Sequence, residues 1–287
     1  LVDPTIHAHM GVVIQDPRHH EAPLGIDDPK AIGGCQVLPD FGDLSVPDED
    51  SVAADPNHAL DDVLPDARPG AVVPLARRTR AHLTVVRSRG GIGGSHRSFE
   101  EEGLVDDVRA MALPFDMAAP NAHLGYYTGR TLLVRLKADV IDPTRREGKD
   151  NIWLVGFSMG GLGSLLYLRE HPEDIEGVCL IAPFLGDEEI IEEIQAAGGV
   201  RSWSPGVYDA DDDYQRMLWH WIKDNVAGDN PVPIFLGCGT EDEFAPACAL
   251  LAALLPEDRV INIPGGHDYA TFKALWDRFL ESRIYLP

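Results

Sequence analysis

Three short segments of this chain hold the residue types that perform nucleophilic chemistry. The first is Gly156-Phe157-Ser158-Met159-Gly160. It follows the apolar run Ile152-Trp153-Leu154-Val155 directly and precedes a helical stretch that starts near Gly161. A G-x-S-x-G pentapeptide between a strand and a helix is a nucleophile elbow. The serine is held in a strained turn so that its hydroxyl stands clear at the edge of the sheet. Side chains two positions to either side would collide with neighbouring backbone, which is why glycine is needed there. The following helix aims its N-terminus and its backbone N–H groups at the reaction centre. The alternative is a glycine-rich strand-to-helix turn with no chemistry.

A serine hydroxyl attacks a carbonyl only when a base takes its proton and an acid orients that base. With an elbow of this kind the chain order is serine, acid, histidine. After the apolar run Val232–Leu236 comes Gly237-Cys238-Gly239-Thr240-Glu241-Asp242-Glu243, and after Val260–Ile263 comes Pro264-Gly265-Gly266-His267-Asp268. His267 lies in a glycine-rich loop before the last helix and is the expected base. Among three adjacent acids, Asp242 is six residues beyond Leu236 and is the expected orienting acid, with Glu241 and Glu243 solvating the turn. Asp268 reads as a loop or helix-capping residue.

The elements that must position these groups alternate from about residue 82. Strands are expected at 83–86, 115–119, 152–155, 177–182, 232–236 and 260–263, with helices at 99–111, 131–140, 162–170, 188–197, 214–226 and 269–280. Near-continuous apolar strands alternating with helices predict an α/β fold, a mostly parallel sheet covered on both faces. The first 75 residues differ: they carry 14 acidic and 3 basic residues and are broken by ten prolines. They read as an irregular acidic arm, with Gly11–Ile14 and Gln36–Leu38 as candidate brief strands, and residues 76–287 read as the catalytic domain.

Residues 82–287 resemble the α/β-hydrolase superfamily of serine esterases, and the small bacterial carboxylesterase-like members in particular. The resemblance rests on Gly156-Phe157-Ser158-Met159-Gly160-Gly161, Gly239-Thr240-Glu241-Asp242 and Gly265-Gly266-His267-Asp268. It implies a Ser158–His267–Asp242 triad and no cofactor. It also implies a helical cap inserted at about 184–230, where Trp203 and Trp219 are expected to wall a substrate pocket together with Phe157 and Tyr126. One part departs from the family pattern. The first oxyanion loop should follow the strand near residue 85, where the chain reads Val85-Val86-Arg87-Ser88-Arg89-Gly90-Gly91-Ile92-Gly93-Gly94. Arginines at that strand end suggest an edge strand, a partly rebuilt one, or a segment that diverged recently. Met159 N–H is expected to supply one oxyanion donor, and Ile92 or Gly91 the other.

Composition narrows the function. With 24 Lys+Arg against 47 Asp+Glu the formal charge is −23, which repels phosphate backbones and anionic lipid. The expected partner is a small-molecule ester, not nucleic acid or membrane. No signal peptide or membrane span is read, so the expected location is cytoplasmic. Four scattered cysteines without a CxxC pair read as buried thiols. His7 and His9 form an HxH pair, but no further ligands accompany them, and no metal site is expected. Esterase, thioesterase, lipase and acyltransferase share this triad. A binding protein that kept the fold is the reading from another class.

Overall fold

The computed structural model describes residues 12–15, 81–113, 115–227 and 232–286 apart from 88–97. Seven strands form one sheet: β1 (Val12–Gln15), β2 (Ala81–Arg87), β3 (Phe115–Pro120), β4 (Asn151–Phe157), β5 (Gly177–Ile181), β6 (Ile234–Gly239) and β7 (Val260–Ile263). Their spatial order is β1-β3-β2-β4-β5-β6-β7. Every neighbouring pair is parallel except β1 with β3. The short apolar run in the acidic arm is therefore the antiparallel edge strand. The rest of the arm, with His7, His9 and Cys35, lies outside the described residues.

β2 is not an edge. It pairs with β3 on one side and with β4 on the other, so that Arg87 aligns with Phe157. Of the readings its arginines suggested, the edge position is therefore excluded. Arg87 is the last residue of β2.

Helices cover both faces. α1 (Ser98–Glu101) and α2 (Leu104–Ala110) replace the single helix expected at 99–111. The break falls at Gly103, whose φ of +77° is left-handed and cannot continue a right-handed helix. The helix expected at 131–140 is also divided. α3 (Leu124–Thr128) precedes it, and α4 (Leu132–Leu136) passes through a π turn at Lys137–Ile141 into α5 (Asp142–Arg146). Pro143 lacks the N–H that would bond one turn back, and the helix widens just before it. α6 (Met159–Glu170), α7 (Glu188–Ala196), α8 (Tyr214–Trp221), α9 (Ala245–Ala252) and α10 (Tyr269–Ser282) complete the layers.

Side chains on a strand alternate between faces, so one strand feeds two cores. From β4, Ile152 and Leu154 join the core under α6, α7 and α8, while Trp153, Val155 and Phe157 join the core under α2 and α10. Burial on both faces explains why β4 reads as a continuous apolar run. No helix among the described residues is long and apolar enough to cross a membrane.

One buried ion cluster ties the end of α6 to the helical segment before β4. Asp174, 3% exposed, meets Lys137 Nζ at 2.6 Å and Arg145 at 3.4 Å, and accepts a 2.8 Å hydrogen bond from Tyr167 Oη. Burial alone would raise its pKa. The hydrogen bonds from Lys137 and Tyr167, with the charges of Lys137 and Arg145, outweigh burial and hold its carboxyl below the ordinary range. A depressed folded-state pKa contributes stability that is present above the unfolded value and is lost as pH falls through the folded one. Asp174→Asn is expected to cost about 1–2 kcal/mol at neutral pH, since both cations are partly solvated. In urea titrations the gap between wild type and variant should narrow as pH drops below about 4. A gap that stays constant down to pH 3 would refute this account.

Candidate active site

The strain expected at the elbow is present. Ser158 has φ +52° and ψ −121°, a region that non-glycine residues enter only when their surroundings hold them there. Its N–H donates to Ile181 O at 3.0 Å, and its carbonyl accepts from Gly161 N–H at 2.8 Å and from Phe184 N–H at 3.0 Å. The glycine two residues earlier is required by space. A Cβ on Gly156 would lie 2.4 Å from Gly160 O and 2.6 Å from Gly161 Cα.

The acid and histidine loops, from the ends of β6 and β7, are joined backbone to backbone. Thr240 N–H donates to Ile263 O at 2.8 Å, and Glu241 N–H to Gly265 O at 2.9 Å. The approach is so close that a Cβ on Gly239 would sit 2.2 Å from Gly265 O. This contact sets the reach between Asp242 and His267. Asp242 Oδ2 lies 2.8 Å from His267 Nδ1, and His267 Nε2 lies 3.0 Å from Ser158 Oγ. The second oxygen of Asp242 accepts from Phe244 N–H at 2.8 Å. The carboxylate is fully buried, with 0% side-chain exposure, and both of its oxygens have partners, which a buried charge requires. Such a chain can draw the proton from a serine hydroxyl and hold the resulting imidazolium.

Glu241 and Glu243 are exposed. Asp268 is the N-cap of α10 and accepts from Thr271 N–H at 2.9 Å. That hydrogen bond holds its carboxyl below the usual range. Met159 is the first residue of α6, so its N–H has no acceptor within the helix. Gly91 and Ile92 lie outside the described residues.

The four residues expected to line the pocket, Phe157, Tyr126, Trp203 and Trp219, are all buried. The Trp203 and Trp219 side chains are 1% and 0% exposed. Their indole N–H groups are committed to Glu193 Oε1 and Leu185 O, each at 2.7 Å. They anchor the inserted segment to the main core. An indole gains more by packing and satisfying its one donor than by facing water. Phe157 packs edge-on against Phe99 and Phe272. Tyr126 is 6% exposed and stacks on His123.

Of three aromatic side chains beside Ser158 and His267, Tyr127 follows a strand end in the sequence and so was expected to border the pocket, while Phe244 and Phe272 were not legible there. Phe244 and Phe272 hold the His267 ring between them, both edge-to-face, with centroids 4.8 and 4.9 Å away. Tyr127 Oη donates to Met159 O at 3.0 Å and so steadies the first turn of α6. Burial pushes the Tyr127 pKa up, which keeps its hydroxyl a donor. The only available signal was position, since Phe244 follows Asp242 by two residues.

Among the described residues, one group of three metal-ligating side chains lies together, His171, Glu173 and Asp174. Lys137 and Arg145 already occupy the Asp174 carboxylate. Cys179, Cys238 and Cys248 are buried free thiols.

A mostly parallel sheet with helices on both faces and an elbow at the end of its central strand is the α/β-hydrolase fold. The serine aminopeptidase S33 family model matches residues 125–208, a stretch that contains Ser158 and ends before Asp242 and His267. Among solved structures, the chain is similar to FphF, a fluorophosphonate-binding serine hydrolase of Staphylococcus aureus. The two are 13% identical with a TM-score of 0.51, over 75% of this chain and 86% of that one. An S-formylglutathione hydrolase, FrmB, of the same organism is 13% identical with a TM-score of 0.48, over 71% of this chain and 81% of that one. At these identities the likeness is one of fold. No curated protein matches the chain.

Proposed function

We propose that this protein is a serine hydrolase that cleaves carboxylic esters with short acyl groups through an acyl-enzyme. The observation that carries this reading is the unbroken chain Ser158 Oγ to His267 Nε2 at 3.0 Å and His267 Nδ1 to Asp242 Oδ2 at 2.8 Å. His267 takes the serine proton as Ser158 Oγ attacks the ester carbonyl. The Met159 N–H and a donor from the Gly91–Ile92 loop stabilise the oxyanion. The tetrahedral intermediate collapses, and the alcohol leaves with the proton from His267. Water then attacks the acyl-enzyme with the same histidine as base, which frees the carboxylic acid and restores Ser158. Asp242 keeps the proton of neutral His267 on Nδ1, so that Nε2 faces the serine as an acceptor. Labelling of Ser158 by a fluorophosphonate, with release of acid from a panel of simple esters, tests the reading directly.

The short-chain preference has a physical basis. An interfacial lipase needs a broad apolar surface around its mouth. The inserted segment instead presents Glu188, Glu189, Glu192, Glu193, Asp209, Asp211 and Asp212 to solvent, and it places Trp203 and Trp219 in the core and leaves Trp221 partly buried against it. Each added methylene gains about 0.8 kcal/mol only while protein can bury it. Across p-nitrophenyl esters, kcat/KM should peak between about two and six acyl carbons on that argument. A maximum at dodecanoate or beyond, or a surge on emulsified triglyceride, would sink this part of the proposal.

A further inference from the structure

Two phenylalanines beside Ser158 and His267 remain partly exposed. Phe184 and Phe244 are both half-buried. Their rings meet edge-to-face at 5.4 Å, and Phe244 in turn meets the His267 ring at 4.8 Å. Both are fixed by the catalytic backbone itself. Phe184 N–H is bonded to the carbonyl of Ser158 at 3.0 Å, and Phe244 N–H is bonded to the carboxylate of Asp242 at 2.8 Å. The pair therefore bridges the serine and acid loops, with the histidine ring against one member. His267 also meets Phe272, which is 1% exposed and closed to any ligand.

From this we infer that Phe184 and Phe244 form the wall that receives the alcohol part of the ester, and that the enzyme selects apolar alcohols, aryl-alkyl or alkyl, over polyols. The inference rests on the ester-hydrolase reading and adds the leaving-group class to it. The argument follows the proton. His267 Nε2 delivers its proton to the departing alcohol oxygen, so the group on that oxygen lies beside the imidazole when the bond breaks. Of the two phenyl rings flanking that imidazole, only Phe244 keeps exposed surface, and Phe184 extends it. Half-exposed aromatic faces gain by covering an apolar group. They offer a polyol no hydrogen-bonding partner, so its hydroxyls would lose water without replacement. The pair is also rigid, since each backbone is tied to a triad residue, and a rigid wall discriminates better than a mobile one.

The test compares acetates whose alcohols differ in apolar surface but little in leaving-group reactivity: benzyl, ethyl and 2-hydroxyethyl acetate. Wild type should favour benzyl over ethyl acetate and disfavour the hydroxyethyl ester. Phe184→Ala should lower the benzyl-to-ethyl ratio of kcat/KM by about 10-fold, while the hexanoate-to-acetate ratio for a fixed ethyl alcohol moves much less. Phe184→Leu keeps apolar volume and serves if the alanine variant does not fold. It should lower the ratio by a smaller factor. If wild type is labelled by a fluorophosphonate and turns over esters, yet shows no benzyl preference, the wall assignment is overturned alone. The same follows if Phe184→Ala moves the acyl ratio in place of the alcohol ratio. If wild type is neither labelled nor active on any ester, the hydrolase reading fails and takes the wall with it.

Discussion

Ser158→Ala is expected to lower kcat/KM on any ester by at least about 10³-fold, with the fold intact. Under the proposed mechanism the hydroxyl forms the acyl-enzyme, and it lies 3.0 Å from His267 Nε2. What remains in the variant is the oxyanion site and ground-state binding, which act on a direct attack by water. The substitution should leave the molecule folded, because the strained turn is held by backbone contacts. Ser158 N–H to Ile181 O and Phe184 N–H to Ser158 O do not involve the side chain. Thermal unfolding and fluorophosphonate labelling of the purified variant separate the outcomes. A folded, unlabelled and inactive protein is the expected result. Substantial turnover in that preparation would mean that another nucleophile does the work.

Asp242→Asn should be nearly as severe, at about 10³–10⁴-fold in kcat. The amide nitrogen of asparagine can only donate, so His267 Nδ1 must become the acceptor and its proton must move to Nε2. The histidine then presents a proton to Ser158 Oγ and cannot accept one. Asparagine is close in shape, and its oxygen can still accept from Phe244 N–H, so the acid loop should keep its conformation. Glu241→Gln and Glu243→Gln, both on the solvated side of the same loop, should behave like wild type. The measurement is kcat for all three on one short-chain ester. If Glu243→Gln proves the worst of them, the acid has been misassigned, whatever distance separates Asp242 from His267 in the resting protein.

Much of this site was legible before any coordinates, because its logic is local. The elbow is written in five consecutive residues whose types follow from the turn's own sterics: Gly156 has no room for a Cβ, and Ser158 must sit at positive φ. The α/β architecture was equally readable, since burial on both faces makes β4, β5 and β6 continuous apolar runs. Asp268 as a helix cap was visible for the same reason, as its acceptor role involves a residue only three positions away. Asp242 was harder to separate from Glu241 and Glu243. Only the contact between the acid and histidine loops, set by Gly239 against Gly265, decides which of the three carboxylates faces His267.

What the sequence could not decide was where the aromatic residues of the insertion go. Trp203 and Trp219 lie in a segment that resembles a cap, and composition alone places them on a wall as readily as in a core. Their burial depends on partners 10 and 34 positions away, Glu193 and Leu185, and on helices that pack only in the folded molecule. The same holds for β2, whose arginines suggested an edge until β3 and β4 were seen on either side, and for Phe184 and Phe244. Those two are 60 residues apart in the chain and meet only because β5 and β6 are neighbours. Residue type and short-range spacing therefore determined the strained serine turn, the histidine loop and the layered fold. Tertiary packing decided which carboxylate meets His267 and which aromatic rings stand beside it, because those choices turn on long-range contacts that no local pattern encodes.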